Sequence, residues 1–62
     1  MLKNKDIALV TGAGGGIGAA IALELSKKNM HVIITGKTLS SLCETEKKII
    51  SNKGSCTIVQ LD

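Results

Sequence analysis

Five glycines stand in the segment Thr11–Gly18: Gly12, Gly14, Gly15, Gly16 and Gly18. Ordering so many glycines costs backbone entropy, so a special backbone requirement must account for them. If the run leads into a helix, unpaired backbone N–H groups and the positive end of the helix dipole converge on one point. That arrangement binds phosphate, and missing Cβ atoms let a pyrophosphate approach the chain. Gly14-x-Gly16-x-x-Ala19 satisfies the G-x-G-x-x-G/A spacing of dinucleotide sites, a match that means something only between a strand and a helix. About 20 residues past the glycines, NAD sites carry an acid for the ribose 2′-hydroxyl. Gly36 and then Lys37 occupy that place here. A small neutral residue followed by a cation leaves room for a 2′-phosphate and supplies its counter-charge. The expected cofactor is therefore NADP(H), with NAD(H) possible.

Other reactive types point nowhere in particular. Cys43 and Cys56 have neither C-x-x-C spacing nor a neighbouring His, which argues against a metal site and predicts small buried hydrophobes. His31 lacks a spaced partner and reads as an ordinary packed or surface residue. Gly36-Lys37-Thr38 imitates the tail of a P-loop, but the first glycine of that motif would have to stand where His31 does.

These residues need elements to position them. Asp6–Thr11 is an apolar run that reads as a strand of a parallel sheet, of the kind buried on both faces. Ile17–Lys28 has helical spacing through Ile17, Ala20, Ile21 and Leu25, with Asn29 as a left-handed stop and Lys27 and Lys28 at the negative end of the dipole. His31–Thr35 is β-branched and ends at Gly36. A second helix is expected from Ser40, its N-cap, to Asn52, with Leu39, Leu42, Cys43, Ile49 and Ile50 on one face and Gly54 as its stop. Ser55–Leu61 returns to β character. Strands alternating with helices predict a parallel α/β sheet in the order 3-2-1, with both helices on one face. The other face would be bare, so the expected architecture is the βαβαβ half of a doubly wound sheet.

Thr11-Gly12-Ala13-Gly14-Gly15-Gly16-Ile17-Gly18 also reads T-G-x-x-x-G-I-G. In this register the sequence resembles the short-chain dehydrogenase/reductase family, and the resemblance runs over essentially the whole chain. It implies a Rossmann-type fold, with residues 1–62 as the incomplete N-terminal part of one NAD(P)-binding domain. It also implies a pyrophosphate lying against Gly12, Gly16, Ile17 and Gly18, and Asp62, at the end of the third strand, beside the adenine. Gly-basic pairs like Gly36-Lys37 occur in NADP-preferring members. Many of those carry a second basic residue where this chain has Gly15. Gly15 and Gly18 satisfy the T-G-x-x-G-x-x-G pattern of extended epimerase-like members as well, which stand as an alternative.

The implied activity is hydride transfer between the nicotinamide cofactor and a carbonyl or alcohol substrate, as in a 3-oxoacyl-(acyl carrier protein) reductase. Family members perform it with a Tyr-x-x-x-Lys pair, a Ser and an Asn. This chain has no Tyr. It therefore carries no catalytic residue to assign and is expected to be inactive alone. A truncated, non-catalytic nucleotide-binding remnant is the competing reading.

Composition sets the remaining bounds. The 62 residues are 44% hydrophobic and 21% charged, a globular balance. Formal net charge is +3, from eight lysines and five acids. With no arginine and no aromatic residue beside those lysines, nucleic acid is not an expected partner. The apolar run after Met1–Lys5 is too short for a signal peptide, and no run is long enough to span a membrane. Together with free thiols this predicts the cytoplasm. Homo-oligomerisation of a full-length protein is implied by the resemblance alone.

Overall fold

The computed structural model describes residues 6–61. Asp62 and the basic N-terminal residues Met1–Lys5 lie outside the described residues. The elements run β1 (Ile7–Val10), α1 (Gly16–Lys27), β2 (His31–Gly36), α2 (Leu39–Ser51) and β3 (Ser55–Gln60). All strands are parallel in the order β1-β2-β3, with Ile7 opposite His31 and His31 opposite Ser55. This is the expected α/β half-sheet.

Both helices cover one face. Val32 and Ile34 of β2 are fully buried against Ala22 of α1 and Leu42 and Ile49 of α2, and Val10 joins them from β1. On the opposite face Ile7 and Leu9 remain 65% and 64% exposed, and Val59 is 41% exposed. So β1 is shorter than Asp6–Thr11, and only one of its faces is covered. Apolar character on both faces says that a strand suits cover on both sides; it does not provide the cover.

The helices turn different residues inward from those their apolar spacing suggests. In α1 the buried positions are Ala22 and Ser26, whereas Ile17, Ala20 and Ile21 are exposed. The reason is closeness. Gly18, Ala22 and Ser26 recur every four residues and form a stripe of small side chains on which the helix approaches its neighbours. A Cβ on Gly18 would collide with the carbonyl oxygen of Gly12, and a Cβ on Gly54 would come within 2.9 Å of Ser26 Cβ. Large side chains in that stripe would hold the helix away.

In α2, Leu42, Thr45 and Ile49 face the core, while Leu39 and Ile50 are exposed and Cys43 is half-buried. The N-cap is Thr38, not Ser40, which sits exposed in the first turn. At the other end Lys53, not Gly54, takes the left-handed conformation (φ 63°), donating to Ile50 O at 2.9 Å while Gly54 N donates to Ile49 O at 2.9 Å. Gly54 is needed for its lack of a side chain. Asn29 stops α1 in the left-handed conformation, as expected.

Cys56 is also half-buried rather than buried, and desolvation, with Glu46 nearby, pushes its thiol above the usual range. His31 packs across the sheet, Nδ1 2.9 Å from Ser55 Oγ and Nε2 2.8 Å from Thr57 Oγ1. Among the described residues no helix is long and apolar enough to cross a membrane, and no group of three or more His, Cys, Asp or Glu could hold a metal ion.

Candidate functional site

The chain leaves β1 through a turn whose backbone favours glycine. Gly12 adopts φ +66°, a left-handed conformation costly for any residue with a Cβ. The turn closes with Gly15 N donating to Gly12 O at 3.1 Å, and the first helical bond of α1 runs from Ala19 N to Gly15 O at 2.8 Å. The amides of Gly16, Ile17 and Gly18 thus open the helix without intrahelical partners, at the positive end of its dipole. Gly16 faces free space, since a Cβ there would meet nothing within 4 Å.

Ala13 anchors the turn. It is fully buried, its N–H donates to Thr35 O at 2.9 Å, and its carbonyl accepts from Thr45 Oγ1 at 2.9 Å. Gly14 lies against α2 so closely that a Cβ would come 2.9 Å from Ser41 Cβ.

Across from this turn, β2 ends at Gly36. Leu61 N donates to Gly36 O at 2.8 Å and Gln60 Nε2 donates to Lys37 O at 2.9 Å, so the end of β3 holds this backbone in place. The Lys37 side chain is exposed, and among the described residues its ammonium has no acidic partner. Thr38 then caps α2 without a side-chain hydrogen bond of its own.

The two turns enclose an open cleft of about 280 Å³ lined by Gly12, Gly14, Gly15, Gly36, Lys37, Thr38 and Ser41. Five residues singled out in the sequence therefore meet here: Gly12, Gly14, Gly15, Gly36 and Lys37. Gly16 and Ile17 stand beside the cleft at the start of α1, Ile17 being 81% exposed. Gly18 points into the turn as a packing residue. Asp62 lies outside the described residues. Thr38 and Ser41 were not expected. Hydroxyl residues in the first turn of a helix after a Gly-Lys pair were the available signal, obscured by the placement of the cap at Ser40.

The lining contains no carboxylate, one cation and several backbone amides. Such a surface attracts anions and offers hydroxyls to a second phosphate beside Lys37.

The family model described as short chain dehydrogenase matches residues 6–62. An uncharacterized oxidoreductase of Staphylococcus saprophyticus is 47% identical over 54 residues, which are 86% of this chain and 23% of that protein. Among solved structures, a 3-oxoacyl (acyl-carrier-protein) reductase from Agrobacterium tumefaciens with NADP bound superposes with a TM-score of 0.85 at 38% identity, covering 92% of this chain and 22% of that one. A metagenomic short-chain oxidoreductase in complex with NADP gives a TM-score of 0.88 at 35% identity, covering 92% and 26%. The chain thus spans about a quarter or less of the length of these relatives.

Proposed function

Because the chain belongs to the short-chain dehydrogenase family, we propose that its cleft is the NADP(H)-binding part of an oxidoreductase acting on a carbonyl or alcohol, of the 3-oxoacyl-(acyl carrier protein) reductase kind. The bound cofactor would supply or accept the hydride. Within this reading the amides of Gly16, Ile17 and Gly18 hold the pyrophosphate, and Gly12, Gly14 and Gly15 keep that wall free of side chains. Gly36 leaves space for the ribose 2′-position, and Lys37, Thr38 and Ser41 surround a 2′-phosphate.

The observation that carries the reading is Lys37 beside Gly36 at the rim of a cleft without a carboxylate. An acid there would hold a 2′-hydroxyl and repel a 2′-phosphate, whereas a lysine attracts the 2′-phosphate. In the resembled family the acid at the substrate oxygen is a Tyr, and these 62 residues contain none. Residues 1–62 then form one half of a doubly wound domain, and the open face carrying Ile7, Leu9 and Val59 is the side that the remaining half of a relative-sized protein covers.

The test is a titration of the purified protein with NADPH and NADH, followed by cofactor fluorescence, with circular dichroism as a check of folding. Saturable binding that favours NADPH supports the proposal. A folded protein that binds neither cofactor, or favours NADH, overturns it.

A further inference from the structure

We infer that Thr45, in the middle of α2 and outside the cleft lining, is a positioning residue that sets the spacing of the two phosphate-binding walls; the inference rests on the cofactor reading above. Thr45 is 3% exposed, and its hydroxyl has two acceptors within reach. Ala13 O lies at 2.9 Å and Ser41 O, four residues back on its own helix, at 3.3 Å. A hydroxyl has one proton to give, and a helical threonine ordinarily returns it to the carbonyl four residues earlier. Here the shorter bond leaves the helix for the glycine turn.

The consequence follows from peptide geometry. Ala13 O and Gly14 N belong to one planar trans peptide, so fixing the carbonyl also fixes the direction of the Gly14 N–H. Ala13 N is already held by Thr35 O at 2.9 Å. With both its polar groups engaged, Ala13 fastens the turn to the end of β2 on one side and to α2 on the other. The Gly14–Ser41 approach, which leaves no room for a Cβ at Gly14, is a second contact between the same two bodies.

One body presents the amides at the start of α1. The other carries Lys37, Thr38 and Ser41. A dinucleotide must engage both walls at once, so its affinity depends on their spacing. A ligand that engages only the Lys37 wall does not need that spacing.

The experiment compares the intact protein with its T45V and T45S variants. Calorimetric titrations use NADPH and, separately, adenosine 2′-monophosphate, which lacks the pyrophosphate; thermal unfolding is followed in parallel. Valine fills the threonine volume but leaves Ala13 O buried without its donor, while serine keeps the hydroxyl. T45V should unfold at a lower midpoint, because Ala13 O loses its donor, and at temperatures where it is folded should bind NADPH about ten-fold more weakly yet bind adenosine 2′-monophosphate within about two-fold of wild type; T45S should remain within about two-fold for both ligands. T45V binding NADPH as wild type does would overturn the inference and leave the cofactor reading standing. Equal weakening of both ligands would also overturn it, by making Thr45 a stability residue only. Failure of the wild-type protein to bind either NADPH or NADH removes the cofactor reading, and the inference falls with it.

Discussion

The turn after β1 and the turn after β2 both pass from a strand into a helix, and both border the same cleft. They are built by opposite means. The first presents backbone: Gly12 in a left-handed conformation, open space at Gly16, and helix amides with no side chain in front of them. The second presents side chains: an exposed ammonium at Lys37 and hydroxyls at Thr38 and Ser41. A site made of backbone depends on exclusion, so adding one carbon atom can abolish it. A site made of side chains depends on chemical identity, so substitutions there alter preference before they alter folding.

The largest effect expected is at Gly18. Gly18→Ala drives a Cβ into the Gly12 carbonyl, where the atom in the way is backbone and cannot swing aside. The cost should be about 3 kcal/mol, enough to unfold a small half-sheet or displace α1 from the turn. Circular dichroism melts would show it, and an unchanged midpoint would mean that the close approach is not required.

Next comes Lys37→Asp. Exchanging cation for anion should shift the NADPH-to-NADH affinity ratio by about a hundred-fold toward NADH, with little change in the melt because Lys37 is exposed. A constant ratio would show that the second turn does not read the 2′-position.

Gly16→Ala separates the two kinds of wall most cleanly. Gly16 has ordinary helical geometry and a Cβ there meets nothing. Alanine should therefore stabilise the fold by about 0.5 kcal/mol while weakening NADPH binding by about ten-fold. Stability and affinity moving in the same direction would break the claim that this space is kept for a ligand.

The smallest change is Ser41→Ala. Loss of one hydroxyl at the rim should weaken NADPH about three-fold and leave NADH unaffected. Equal weakening of both cofactors would place Ser41 in packing against Gly14 rather than in phosphate recognition.

The first turn was the more legible in sequence. Glycine in a left-handed or closely packed position has few substitutes, so a dense run of glycines between an apolar run and a helical pattern carries its own explanation. Lys37 was legible as well, because charge at a known distance past the glycines has a direct electrostatic meaning. Ser41 was not. It lines the cleft only because α2 packs beside the glycine turn, and the apolar spacing of α2 does not say that its first turn meets Gly14.

Local chemistry in the sequence was enough to establish strand, helix, strand, helix, strand, their parallel arrangement, the glycine turn at the start of α1 and the basic residue after β2. Each depends on residues close together in the chain. Helix rotation and inter-element contact depended on tertiary structure. It turned Ala22 and Ser26 inward instead of Ile17 and Ile21, because small side chains allow the closer approach. It placed Gly54 against Ser26, and it brought the Thr45 hydroxyl to Ala13 across 32 residues of sequence. Such pairings have no local signature, because each partner looks ordinary until packing brings the two together and leaves no water to satisfy the buried carbonyl.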